Sequence, residues 1–296
     1  MALGATAPGD RADRANRPRI WLRVHALSNR FRHALVRLTI QTMKVSLFVT
    51  CLTDLFAPQV GMAVVRVLEH FGCTVDFPES QTCCGQPAYN NGYPEQARDL
   101  AWRMVKVFEN SQYVVTPSGS CCAMIRDHYE LLFKDDPARL PAARAFVAKT
   151  YEFVEFLTKL LKVDVSGLAL PQPTTSTYHF TCHLRGLGAT GEPAINMLRQ
   201  LGNSQFVPLE KAEQCCGFGG TFAVKYPDIS GAIVRDKITC GDQTHADTMI
   251  VNDAGCAMNI AGACHRYKAQ FRVKHLAELL AQAIDAQTAS KKEKTV

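Results

Sequence analysis

Two stretches, QTCCGQP at 81–87 and EQCCGFGG at 213–220, each place two adjacent cysteines before a glycine. Thiolates are strong ligands for zinc and for iron–sulfur clusters. Adjacent cysteines are poor disulfide partners, because their Cα atoms lie about 3.8 Å apart, below the usual ~4.4–6.8 Å window. Further cysteines stand at matching distances from both pairs. Cys51 precedes Cys83 by 32 positions and Cys182 precedes Cys215 by 33, while Cys121 follows Cys84 by 37 and Cys256 follows Cys216 by 40. The surrounding words agree: VTCLTDL at 49–55 with FTCHLRG at 180–186, and PSGSCCAM at 117–124 with NDAGCAMN at 252–259. The period of 131 to 135 residues is too long for a solenoid unit and marks a duplicated domain. Each copy supplies four thiols: Cys51, Cys83, Cys84 and Cys121 in the first, and Cys182, Cys215, Cys216 and Cys256 in the second.

Structural zinc is usually gripped by cysteine pairs two to four residues apart. Directly adjacent cysteines do not easily reach one tetrahedral ion together, but they reach two irons of a cluster. The pattern therefore favours iron–sulfur over zinc, with a zinc-stabilised interaction module as the alternative. Cys122 offers an alternative fourth ligand in the first half. Cys73 has no counterpart in the second half, and Cys240 and Cys264 fall on expected helices. These three read as small buried hydrophobes.

The elements that must carry the eight thiols alternate in type. KVSLFV at 44–49, CTVDFP at 73–78 and QYVVTP at 112–117 read as strands, separated by proline-opened helices over 58–71 and 94–110. The second half repeats the order: STYHFT, EPAINMLRQLG, SQFVPL, PDISGAIVRDKITC and TMIVND. Alternating strands and helices predict an α/β fold of two tandem Rossmann-like parallel-sheet domains related by internal duplication. The expected boundaries are 43–167 and 176–285, with a charged tail over 286–296. One or two connecting helices are expected over 138–162, and LALPQPTTS at 168–176 reads as a linker. Every cysteine of the two sets then follows a strand, where parallel α/β sheets bind their ligands.

Composition bounds the function. A hydrophobic content of 47% suits a globular chain with a sizeable core. No run approaches the ~18–20 apolar residues of a membrane-spanning helix. Of 33 basic and 27 acidic residues, eight and two fall within residues 1–42, leaving 25 of each in the remainder. A charge confined to one arm argues against nucleic-acid binding by the body. The arm opens on a small, polar stretch over 1–19 that reads as disordered. The rest of it has two readings: a basic amphipathic segment over 21–40 making peripheral contact with a membrane surface, or an upstream extension of a chain whose start is Met43. Thiols used as ligands rather than crosslinks point to the cytoplasm, with the arm at the inner face of the membrane.

Taken together, the two Cys…Cys-Cys-Gly…Cys sets resemble the cysteine-rich domains of heterodisulfide reductases and of glycolate oxidase iron–sulfur subunits. MKVSLFVTCLTD, QTCCGQPAYNNGY, TPSGSC, TCHLRGLG, CCGFGGTFAVKYPDIS and DAGCAMN are similar, more closely, to the LutA/YkgE family of lactate-utilisation iron–sulfur subunits. That resemblance spans about residues 43–285. It implies two [4Fe–4S] clusters held by the eight cysteines, LutB-like and LutC-like partner subunits, and a role in oxidising L-lactate to pyruvate. The heterodisulfide reductase pattern ends in Cys-x-x-Cys, and here Met124 and Asn259 stand at the last positions. Ordinary four-cysteine ligation is therefore expected instead of disulfide-cleaving chemistry. A glycolate-type or heterodisulfide-type oxidoreductase subunit is the alternative within the same chemistry.

For substrate contact the candidates are His183 and Arg185, directly after Cys182. An arginine holds carboxylates bidentately, and a histidine accepts a hydroxyl proton. The plainer reading gives both of them structural duties, so this chain is expected to carry electrons and not to hold the substrate. The glycines of CCGFGGTF lack both the dinucleotide spacing and the Walker lysine, which argues against a nucleotide site.

Overall fold

The computed structural model describes residues 42–293. The expectations for the basic arm, including the start at Met43, and for the last three residues of the tail lie outside the described residues.

The first half runs β1 (Met43–Leu47), α1 (Cys51–Phe56), α2 (Pro58–His70), β2 (Cys73–Asp76), α3 (Gln86–Asn90), α4 (Pro94–Val107), β3 (Tyr113–Thr116) and α5 (Gly119–Ala123). A π-turn at Met124–His128 continues α5 into α6 (Tyr129–Leu132), followed by α7 (Leu140–Ala148), β4 (Thr150–Glu152) and α8 (Phe153–Glu155) with a second π-turn at Phe156–Leu160. The second half runs β5 (Ala169–Tyr178), α9 (His183–Gly186), α10 (Glu192–Gln200), β6 (Gly202–Phe206), α11 (Thr221–Lys225), α12 (Pro227–Gln243), β7 (Thr248–Val251), α13 (Ala254–Tyr267), β8 (Arg272–His275) and α14 (Leu276–Glu293). Two four-stranded sheets result, in the orders β2-β1-β3-β4 and β6-β5-β7-β8, and every pairing is parallel. The expected α/β architecture of two Rossmann-like sheets is present.

Local chemistry explains the elements. Proline occupies the first or second position of α2, α4, α10 and α12, where its missing N–H costs nothing. Central strands β3 and β7 are buried along nearly their whole length and read YVVT and TMIV, as strands covered on both faces must.

Three expectations need correction. LALPQPTTS is no linker: residues 169–178 form β5, a central strand of the second sheet. Its prolines, which lack the donor a ladder needs, fall where the register with β6 shifts between Ala169 and Thr174. The connecting segment 138–162 contains β4 as well as helices, and β8 precedes the closing helix. That helix continues to Glu293, so most of the expected tail is helical.

One hydrophobic core runs through both halves. Val64, Val67 and Leu68 of α2 pack in the same cluster as Leu279, Leu280 and Ile284 of α14 and Leu198 of α10. Each half adds its own smaller cluster, and these contain Cys84 and Cys121 in the first half and Cys216 and Cys256 in the second.

Candidate metal centre

All eight cysteines line one cavity of about 280 Å³ beyond the carboxyl ends of the strands. Cys51 opens α1 after β1, Cys121 lies in α5 after β3, and Cys83 and Cys84 sit in the loop after β2. Cys182, Cys215, Cys216 and Cys256 occupy the matching places after β5, β6 and β7. In each half the second cysteine of the adjacent pair and the helix cysteine are buried, while the other two are more exposed.

Each set is a connected string of thiols. Cys84 Sγ lies 3.4 Å from Cys121 Sγ, and Cys216 Sγ lies 3.2 Å from Cys256 Sγ. Thiol hydrogen bonds from Cys51 and Cys84 hold the Cys83 sulfur well below the usual thiol range, favouring its thiolate. Cys215 is lowered in the same way by Cys182 and Cys216. The donors move oppositely, so Cys51 and Cys182 are raised. An adjacent pair therefore divides its duties: the first sulfur faces the cysteine after the first strand, and the second faces the helix cysteine.

Local structure sets those directions. Thr50 is buried at φ 73, an unusual conformation for a β-branched residue, and its hydroxyl accepts from Thr53 N at 3.4 Å. This turn delivers Cys51 to the cavity. Gly85 and Gly217 follow the pairs at φ 89 and 87, and a Cβ at Gly217 would stand 2.7 Å from Ser230 O. Only glycine fits there, which explains the third letter of each Cys-Cys-Gly. Their N–H groups donate back to Cys83 Sγ at 3.5 Å and Cys215 Sγ at 3.3 Å.

Cys122 does not line the cavity; it is fully buried and faces Arg126 and Glu152. His183 reaches the cavity wall, with Nδ1 3.7 Å from Cys182 Sγ. Arg185 is absent from that wall and lies 4.0 Å from Glu213 in an exposed ion pair. Met124 is buried in the first-half core, and Asn259 Nδ2 donates to Cys216 O at 2.8 Å. Cys73 and Cys240 are buried and Cys264 is half-buried.

Two residues were not legible as site members. His179 is buried, neither ring nitrogen has a hydrogen-bond partner, and it groups with the Cys216 and Cys256 sulfurs within 4.8 Å. Burial pushes its imidazole down to about 3, so it is neutral. The one signal in the sequence was asymmetry, since His179 stands three residues before Cys182 while Phe48 stands three before Cys51. Asp253 lies on the cavity wall, and its Oδ1 accepts from Gly255 N at 3.0 Å and Cys256 N at 3.1 Å, capping α13.

The cysteine-rich domain family designated CCG matches twice, at residues 45–126 and 176–261. "Lactate utilization protein A" of Bacillus licheniformis is 46% identical over 239 residues, 80% of this chain and 99% of its own length. Its namesake in Geobacillus thermodenitrificans is 48% identical over 238 residues, 80% of this chain and 98% of its own. The chain belongs to the lactate utilization protein A family. The two CCG segments run from within β1 through β3 and from the last residues of β5 through β7, so each takes in four of the eight cysteines. A hypothetical protein from Helicobacter pylori shares the fold with a TM-score of 0.60 at 9% identity, over 81% of this chain and 49% of that one. No helix among the described residues is long and apolar enough to cross a membrane.

Proposed function

We propose that the protein is the iron–sulfur electron-transfer subunit of a multi-subunit system oxidising L-lactate to pyruvate, with one [4Fe–4S] cluster on each set of four cysteines. The observation that carries this reading is the meeting of two complete four-thiol sets on one cavity. The donor chemistry fits the group: four soft thiols per set, two of them buried in the core and one already biased toward thiolate. A bound cluster supplies one-electron transfer, and two of them match the two electrons that lactate oxidation releases.

The remaining steps belong to this chain's own residues. The clusters of apolar side chains behind Cys84, Cys121, Cys216 and Cys256 exclude water from the deep side of each set. Gly85 N and Gly217 N donate toward sulfur, which tunes a thiolate ligand. Cys51, Cys83, Cys182 and Cys215 form the more exposed side, where partner subunits of the LutB and LutC kind would exchange electrons.

One observation favours a second reading. His179, Cys216 and Cys256 offer three of the four ligands of a zinc site. The first half has Phe48 in place of His179 and no equivalent grouping among the described residues, which supports the thiol-only sets.

Anaerobic purification with the neighbouring subunits, followed by iron, sulfide and zinc analysis and a lactate-dependent dye-reduction assay, tests the proposal. Iron and sulfide near eight atoms of each per chain, with dye reduction, are the expected result. Stoichiometric zinc, or no lactate-dependent reduction by the assembled complex, would overturn it.

A further inference from the structure

A second cavity, of about 150 Å³, is lined by residues of both halves. Its wall is built from β4 and α8, both π-turns, the end of β5 and the segment after α9. π-Turns are uncommon and concentrate at functional sites. Here one contributes Arg126 and the other contributes Thr158 and Lys159.

The polar groups on this wall are unusual for a buried place. Glu152 is 3% exposed; its Oε2 accepts from Val154 N at 2.8 Å and Glu155 N at 3.1 Å, but its Oε1 has no partner. Asn252 is 1% exposed; its Nδ2 donates to Tyr178 Oη at 3.1 Å, and its Oδ1 has no partner. Buried polar atoms are almost always satisfied, so two orphan oxygens in one wall call for a group that completes them. Burial raises the Glu152 carboxyl to about 8, leaving it uncharged at neutral pH. Arg126 and Lys159 then face a single carboxylate, Glu155, to which both are bonded. The wall carries an excess of one positive charge. Phe180, Leu184 and Ala194 supply an apolar side.

We infer that this cavity binds a small 2-hydroxycarboxylate, an inference that takes its choice of ligand from the lactate reading above. The Arg126 guanidinium meets the carboxylate, the hydroxyl donates to the orphan Asn252 Oδ1 and accepts from the Glu152 carboxyl O–H, and the short alkyl group lies on the apolar side. The cavity has room for a ligand of several heavy atoms, since one water needs only ~10–15 Å³ on the measure that gives about 150 Å³ here. Asn252 and Asp253 are neighbours in the chain, and Asp253 lines the cysteine cavity, so the two cavities are separated by a single turn of backbone.

The test is calorimetric titration of the full-length, anaerobically purified protein with L-lactate and with propionate, which lacks the hydroxyl. Saturable one-site binding of L-lactate is expected, with propionate at least about tenfold weaker, because a site that hydrogen-bonds a hydroxyl rejects the analogue without it. Arg126→Gln should weaken L-lactate by a similar factor. Ala189→Trp, at the half-buried rim, should block binding with iron content unchanged, and it guards against misreading a folding defect. Absence of saturable L-lactate binding, equal affinity for propionate, or retained affinity in both variants would overturn the inference. Dye reduction by the assembled complex separates this from the lactate reading. Reduction with an unchanged KM in both variants sinks the cavity and leaves that reading standing. A wild-type complex that reduces no dye with lactate, although the chain binds L-lactate with the expected preference over propionate, sinks that reading and supports the cavity.

Discussion

Ser118 Oγ donates to Asp253 Oδ2 at 2.9 Å, joining the caps of the two cysteine helices. The two residues hold matching positions, each three before its cysteine, Cys121 or Cys256. Asp253 Oδ2 also accepts from Ser120 N at 2.9 Å, and Gly119 N donates to Asn252 O at 3.1 Å. The duplicated turns are therefore bound to each other as well as to their own helices.

Asp253→Ala removes an N-cap and leaves the Ser118 hydroxyl and Ser120 N–H without their buried acceptor. A loss of about 2–4 kcal/mol is expected, from about 1 for the cap and 1–3 for groups left unpaired. Urea unfolding measures it. A loss under about 0.5 kcal/mol would mean the link contributes nothing.

Cys84→Ser is expected to halve the iron content of anaerobically purified protein, and Cys122→Ser to leave it unchanged. The two residues are equally buried thiols in the same half. Only placement separates them, since Cys84 lines the cysteine cavity and Cys122 faces Arg126 and Glu152. Iron loss in Cys122→Ser with retention in Cys84→Ser would reverse the assignment.

His179→Phe places in the second half the residue type that Phe48 supplies in the first. Hydrogen bonds to cluster sulfur are one determinant of reduction potential. The expectation is two separable potentials in the native protein that move toward one another in the variant. Potentiometric titration followed by electron paramagnetic resonance gives the answer, and an unchanged pair of potentials would remove His179 from the site.

Glu152 couples stability to pH. Its carboxyl is raised from the ordinary 4.5 to about 8, chiefly by burial, so the folded protein binds the proton more tightly than the unfolded chain does. Its contribution is fully present below pH ~4.5 and is lost as pH rises through ~8, by up to about 1.4 kcal/mol per pH unit. Glu152→Gln keeps an acceptor for Val154 N and Glu155 N and cannot ionise. Its unfolding midpoint in urea should exceed that of the native protein at pH 8 and converge toward it at pH 5. Parallel pH profiles for the two proteins would disprove the coupling.

The thiols and the sheet edge were readable because both repeat. Spacing paired Cys51 with Cys182 and Cys83 with Cys215, and the strand-helix alternation put them beyond strand ends, where the structure has them. Strands β4 and β8 were not readable, being three and four residues long and continuous with helical sequence. The end of β5 was read in STYHFT, but its first part was hidden by prolines that ordinarily end a ladder and that here sit at a register shift. Glu152 was invisible, and His179 showed only as a departure from the repeat, for a different reason. Their roles come from burial without partners, which no spacing encodes.

Helix α14 is the last described element of the chain, yet it closes the core beside α2, near the beginning. Chains emerge from the ribosome N-terminus first, at about 5–20 residues per second. Val64, Val67 and Leu68 therefore wait for Leu279, Leu280 and Ile284 through most of synthesis. The first four cysteines are made before their half has its final partner, so a truncated product would present its thiols on an unfinished core.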